Sequence, residues 1–292
     1  MTRAPDATRR RLIGALGVAP LALAAAPVRG QPKPATNDGG PFVPTPWVIV
    51  DEMLKLVEIR PDDTVYDLGS GDGRLVIAAS KRHGARGVGI ELNADLVIFS
   101  RVQAERDGVA ERVKFVEGDV LKTDLREATV VTMYLLPRLV VQLVPKLRAE
   151  LRPGARIVSH DYPLEPWHPD KTLIFDVEEK FNINGMTETK LFYYVVPAQV
   201  DGRWVLEADR PIAARPVELA IEQWPDRLEG AAIVDGVSLA LRDLTVRADA
   251  IRFDVLHAGR MLAFRGRVTG ATMAGELTRP GSTGRWTARR LP

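Results

Sequence analysis

The chain has 292 residues, 27% of them charged and 46% apolar, with 24 Gly and 21 Pro. That composition excludes a disordered, collagen-like or multi-span membrane protein, and at about 150 residues per domain it predicts two domains. The formal charge of +2 is unevenly spread: the first 30 residues set Arg3, Arg9, Arg10, Arg11 and Arg29 against Asp6 alone, so the leader holds +4 and the rest −2. A near-neutral, slightly acidic body lacks the positive footprint of a nucleic-acid binder, and no nucleic-acid partner is expected. With no Cys, there are no disulfides, thiol nucleophiles or Cys-based zinc sites. The four His, at 83, 160, 168 and 257, have no HExxH spacing, and no metal is expected.

Residues 1–30 read as a signal peptide. Arg9-Arg10-Arg11-Leu12-Ile13 opens an uncharged stretch to Val28, whose apolar part, Leu12–Ala26, is interrupted by Gly14, Gly17 and Pro20. A bilayer core needs about 20 apolar residues, so this stretch predicts no stable membrane span. A basic start, a short apolar middle and small residues before a polar segment make an export leader, and the paired arginines resemble a twin-arginine signal. The expectation is a periplasmic protein, the alternative a cytoplasmic one with an uncleaved N-terminus. Residues 31–41 have linker composition, rich in Pro and Gly. Phe42-Val43-Pro44-Thr45-Pro46-Trp47 is too apolar for a linker and is expected to pack on the body.

From Trp47 to Val196 helical and strand patterns alternate. Trp47–Ile59, Arg74–His83, Asp95–Asp107 and Leu139–Leu151 read as helices. Thr64–Leu68, Gly87–Leu92, Val113–Val116, Ala128–Leu136 and Ala155–His160 read as strands. Two more strands, Leu173–Glu178 and Lys190–Val196, are expected to pair antiparallel across an Asn184-Gly185 turn. Such alternation predicts an α/β domain over 42–197, a parallel sheet with helices on both faces and strand-to-helix loops along one ligand-binding edge. After Val200 the helical period stops. Short alternating runs, such as Val217-Leu219-Ile221 and Ile251-Phe253-Val255, recur about every ten residues and predict an all-β domain over 198–292. Gly202-Arg203-Trp204 and Gly284-Arg285-Trp286 suggest that its first and last strands meet. A small barrel or sandwich follows, either lipocalin-like with a cavity or filled. Arg242, Arg247, Arg252, Arg265 and Arg267 mark its solvated face.

The strongest motif is Val65-Tyr66-Asp67-Leu68-Gly69-Ser70-Gly71-Asp72-Gly73, a strand entering a glycine loop that opens a helix. A dinucleotide loop reads GxGxxG; here the third glycine comes one residue early and Asp67 precedes the loop. That acid repels a pyrophosphate but suits a ligand with an amino group. Glu91, 18 residues past Gly73 at the end of the next strand, is placed for ribose hydroxyls, with Asn93 beside it. Asp119-Val120 follows the third strand, where an acid accepts from an adenine amino group. A nucleoside with an amino-acid tail and no phosphate satisfies all three positions, which points to S-adenosyl-L-methionine.

Residues 42–196 resemble the class I, seven-stranded, Rossmann-like S-adenosylmethionine-dependent methyltransferases. More narrowly, they resemble bacterial relatives of the ATP synthase c-subunit lysine methyltransferases, through Val43-Pro44-Thr45-Pro46, the glycine motif, Tyr134-Leu135-Leu136-Pro137 and Ser159-His160-Asp161. The resemblance implies a lid in which Thr45 and its prolines cover the cofactor's methionine end; Ser70 departs from the more frequent Cys or Gly. It also implies methyl transfer to a protein lysine or another small amine, with Tyr134, His160 and Asp161 as catalytic candidates on the acceptor side. Asn/Asp-Pro-Pro-Tyr/Trp, used by enzymes that methylate nucleic-acid amino groups, is replaced here by Met133–Pro137. The rival expectation is a non-catalytic nucleoside-binding protein in which the β-domain recognises a ligand or partner.

Overall fold

The computed structural model describes residues 40–210 and 212–292 and the backbone of 8–11. Apart from those residues, the signal peptide expected over 1–30 and the linker over 31–41 lie outside the described residues. The contacts divide the chain into two units. One holds 1–151, 156–165 and 169–194, the other 152–155, 166–168 and 195–292.

The first unit is built on one sheet. Its strands are β1 (Thr8–Arg11), β2 (Thr64–Leu68), β3 (Arg86–Glu91), β4 (Val113–Glu117), β5 (Val130–Met133), β6 (Arg156–His160), β7 (Lys171–Asp176) and β8 (Glu188–Val195). The order is β1-β7-β8-β6-β5-β2-β3-β4. Without the edge strand β1, seven strands remain, with β8 antiparallel to β7 and the run from β6 to β4 parallel. The central strand β2 is buried along its whole length, as a strand covered on both faces must be. Helices α1 (Trp47–Leu56), α2 (Arg74–His83), α3 (Ala94–Arg106) and α4 (Pro137–Glu150) supply that cover. Ile49, Val50, Met53 and Leu54 of α1 and Leu75, Val76 and Ala79 of α2 share a core with Val65, Val130 and Val158 of the sheet.

Local chemistry sets the helix starts. Asn93 caps α3, its side chain accepting from the Asp95 and Leu96 amides. Pro137 opens α4, where its missing N–H loses no helical bond. The strand expected to run to Leu136 therefore stops at Met133, and Tyr134–Leu136 form a loop. The expected Asn184-Gly185 hairpin turn is also corrected. Glu178–Asn184 form a short helix, α5, and Gly185 ends it in the left-handed conformation at φ 74°. Gly suits a helix C-terminus for the same reason that it suits a tight turn, namely freedom at positive φ.

The second unit is an antiparallel meander: β9 (Gly202–Ala208), β10 (Val217–Gln223), β11 (Leu228–Val234), β12 (Val237–Ala240), β13 (Arg242–Arg247), β14 (Ala250–His257), β15 (Arg260–Thr269), β16 (Thr272–Arg279) and β17 (Ser282–Arg290). The first strand pairs with the last, Trp204 opposite Arg290 and Ala208 opposite Trp286. Strands β12 and β13, separated by Leu241 alone, pair with β11 on one side and β14 on the other. That bent segment carries the sheet round into a nearly closed barrel. Its interior holds side chains rather than open space: Trp204, Trp286, Phe253 and Phe264 are all buried. The Phe253 and Phe264 rings stack at 4.6 Å, and Trp286 meets both edge-on. Gly266 and Gly275 face each other across β15 and β16, where a Cβ on Gly266 would lie 2.7 Å from the Trp286 ring.

Candidate active site

A cavity of about 590 Å3 opens at the carboxyl ends of β2, β3, β4 and β5, within the usual range for small-molecule sites. Thr45, Asp67, Gly69, Ser70, Gly71, Asp72, Glu91, Asn93, Asp119, Val120 and Tyr134 all line it. Gly73 does not. It caps α2 at φ 79° and packs under Phe115, so its part is to turn the chain. His160 and Asp161 stand behind the wall.

The glycine loop is fastened from both sides. The Gly69 and Ser70 amides donate to the Ile90 carbonyl, tying the loop to the end of β3. The Gly71 amide donates to Glu91 Oε2 at 2.9 Å, and the Asn93 amide to Oε1 at 2.9 Å. Glu91 is thus held by backbone donors, with carboxylate lone pairs left over for a ligand hydroxyl. Asp119 is held in the same way, by the Leu121 amide at 2.9 Å. The Ser70 hydroxyl is buried without a hydrogen-bond partner among the described residues; it is turned down onto β3, where a Cβ on Gly89 would lie 2.7 Å from it.

Asp67 governs the electrostatics. It is 5% exposed and accepts from the Thr132 hydroxyl at 2.6 Å. Burial pushes its carboxyl up to about 7, the charges of Asp72 and Glu91 add to the rise, and the Thr132 bond opposes it. Five acids line this cavity, Asp67, Asp72, Glu91, Glu117 and Asp119, against one cation, Arg74, which pairs with Asp72; the excess of carboxyl groups forms a site for a cationic ligand.

The lid comes from 40–45. At φ 52° Gly71 favours glycine, and a Cβ there would run into the Phe42 ring, which lies on the loop. Arg74, the first residue of α2, holds the lid down: its guanidinium donates to Asp72 at 2.9 Å and to the Thr45 carbonyl at 2.7 Å, and stacks on the Trp47 ring at 5.1 Å. Sequence reasoning missed Arg74. The available signal was a cation directly after a loop already crowded with acids.

On the acceptor side Tyr134, His160 and Asp161 come together. The Tyr134 and His160 rings lie 3.9 Å apart, and the Tyr134 hydroxyl donates to Asp161 Oδ2 at 3.2 Å. Burial holds His160 down to about 4, so the imidazole is neutral at physiological pH; Nδ1 lies 3.4 Å from the Thr45 hydroxyl of the lid. Burial, then Asp161, raises the Tyr134 phenol, so it remains a donor. Asp161 carries a further partner that the sequence did not disclose: Lys180 of α5, whose Nζ donates to Oδ2 at 2.5 Å and to the Glu188 carbonyl at 2.7 Å.

Residues 67–171 match the family model of the ANTKMT methyltransferase domain. A protein-lysine N-methyltransferase of Saccharolobus islandicus is 42% identical over 156 residues, which is 53% of this chain and 93% of that protein. The ATP synthase c-subunit lysine N-methyltransferase of Rattus norvegicus is 41% identical over 132 residues, 45% of this chain and 60% of that protein, so the match spans less than two thirds of that relative. A crystal structure of an RNA methyltransferase from Salinibacter ruber in complex with S-adenosyl-L-homocysteine is 45% identical, with a TM-score of 0.49 over 54% of this chain and 96% of that one.

Proposed function

The chain belongs to the class I S-adenosylmethionine-dependent methyltransferases, and from that premise we propose that it methylates the side-chain amine of a protein lysine. The cavity suits the cofactor: its lining carboxylates, which outnumber the single Arg74 cation, answer a ligand with a sulfonium and an ammonium. In this reading Glu91 holds the ribose hydroxyls, Asp67 the ammonium of the methionine end and Asp119 the adenine amino group, while Phe42 and Thr45 keep water off the reacting end. S-adenosylmethionine supplies a methyl group on a sulfonium, open to in-line displacement by a neutral amine. The chain's own task is to position that amine, keep the pocket dry and avoid stabilising its protonated form. Tyr134 offers a ring at the cavity wall for the acceptor's aliphatic stem, its hydroxyl turned back to Asp161.

The observation that carries the lysine assignment is the 42% identity to a protein-lysine methyltransferase over 93% of that protein's length. The test is incubation of the full chain with methyl-labelled cofactor and separate protein and nucleic-acid fractions. Label on lysine Nε, located by mass spectrometry, is the expected result; label confined to nucleic acid overturns the reading. We also infer export of the folded chain, on the arginine-led leader. Fractionation of an epitope-tagged protein tests this, and an uncleaved cytoplasmic chain overturns it.

A further inference from the structure

Behind the acceptor wall lies a buried ion pair that the transfer step as described leaves unused. Lys180 is 2% exposed and its ammonium sits on Asp161 Oδ2. Asp161 is held by more than this cation: the Lys190 amide donates to Oδ1 at 3.1 Å and the Tyr134 hydroxyl to Oδ2 at 3.2 Å. Its backbone stands at φ 63°, in the left-handed region, so the carboxylate is set by a sharp turn just past β6. Since Tyr134 lines the cavity, the pair sits one hydrogen bond behind the surface that an acceptor amine would meet.

A bare carboxylate there would work against the reaction, because an anion close to a lysine stabilises its ammonium, the form without a lone pair. A resident cation cancels that charge. We propose that Lys180 is a positioning residue whose ammonium neutralises Asp161, so that the acceptor lysine meets no net negative charge and loses its proton more readily. The proposal rests on the lysine reading above. Few other charges compete. From the end of β6 the pair faces neutral His160, from the turn just past it the Tyr162 phenol, and from the loop after β5 the Tyr134 phenol. From β8 come Glu188 and Lys190, partly exposed and paired with each other at 2.9 Å. Glu178 and Glu179 of α5 are exposed, and Asp176 ends β7 opposite Glu188.

The test is the pH profile of kcat, which reports ionisation in the enzyme–acceptor complex. It is measured on the full chain with n-butylamine, and with the lysine protein labelled above, as acceptors. Lys180→Met removes the cation while the Lys190 amide and the Tyr134 hydroxyl still hold the carboxyl group, and should move the acid limb to higher pH by about one unit or more. Asp161→Asn, which leaves the cation alone, should move it to lower pH. Asp161→Asn/Lys180→Met buries no charge and should return the limb to its wild-type position, a rescue that a merely structural lysine would not give. Should Lys180→Met fail to fold, Asp161→Asn and the double variant still decide: superimposable limbs in wild type and Asp161→Asn overturn the assignment. So does a Lys180→Met profile that matches wild type. A wild-type chain inert toward both acceptors overturns the lysine reading itself, and this inference with it.

Discussion

Asp67 is destabilised by the function it serves. Its carboxyl rises to about 7 in the folded protein, from 3.8 when unfolded. The native state therefore holds a proton that the unfolded state has lost between about pH 4 and pH 7, and stability falls as pH rises through that window. Asp67→Asn keeps an acceptor for the Thr132 hydroxyl and removes the buried charge. The free variant should be more stable than wild type at pH 8, by up to about 4 kcal/mol, with little difference at pH 4. Thermal unfolding at the two pH values checks this; a variant less stable at pH 8 would show that Asp67 is not strained in the free protein. The same ionisation governs the ligand. Wild-type affinity for S-adenosylhomocysteine, which also carries the ammonium, should be flat above about pH 7 and weaken below it, roughly tenfold per unit, while the Asn variant binds poorly throughout. Titration calorimetry across pH 5.5–8.5 is the measurement.

At the scale of elements, the parts legible in the sequence are those fixed by local chemistry. The glycine loop needs backbone freedom and a strand before it, and Asp67, Glu91 and Asp119 stand at consecutive strand ends; chain order alone places them on one edge. The clamp on the lid and the pair behind Tyr134 were hidden, because Arg74 reaches Thr45 across 29 residues and Lys180 reaches Asp161 from a helix read as a turn. In the β-domain, β11 and β13 were missed for another reason: Leu228–Val234 spends its middle on Gly230-Ala231-Ala232, and β13 is exposed or half-exposed along its length. Gly230-Ala231-Ala232 breaks the alternation that marks a half-buried strand, and in β13 it is carried by only two apolar residues, Leu244 and Val246. The lid clamp makes its own prediction. Arg74→Met keeps the stem and removes three charge-assisted contacts, so S-adenosylhomocysteine should dissociate about tenfold faster with little change in melting temperature. Stopped-flow release measures it, and an unchanged rate would mean that the lid closes without Arg74. A second prediction tests the barrel's filling. Gly275 has no room for a side chain, its Cβ position meeting the Arg265 carbonyl and the Gly266 backbone. Gly275→Val should therefore separate β15 from β16 beside Trp286 and destabilise the barrel by about 3 kcal/mol. The near-ultraviolet signal of the tryptophans reports it; a silent substitution would argue for slack in that interior.

For the whole molecule, the question is how much of the chain the cofactor needs. Each unit has its own apolar core: the first is centred on Val65, Val130 and Val158 between helices, the second on Trp204, Phe253, Phe264 and Trp286 inside the barrel. Cores of that kind fold as separate domains when few interactions cross between them. Every residue lining the cavity falls between Gly40 and Leu139, within the first unit, and Asp161 and Lys180 also belong to it. The division in sequence is less clean than a single cut, because 152–155 and 166–168 group with the second unit. The turn at Arg152–Ala155 is held by backbone bonds to Val196, Gly154 N–H to Val196 O and Val196 N–H to Ala155 O, each 2.8 Å. A chain ended after Ala198 keeps Val196 and so keeps that turn. It should fold, bind S-adenosylhomocysteine within about threefold of the full chain, and still methylate n-butylamine if the full chain does. Transfer to a folded protein acceptor should fall if the barrel presents that acceptor, and stay level if it does not; either result leaves cofactor binding intact. Calorimetry and circular dichroism on the shortened chain give the answer. An insoluble product, or affinity lost by an order of magnitude, would make the barrel part of the methyltransferase core and remove the case for two independent domains.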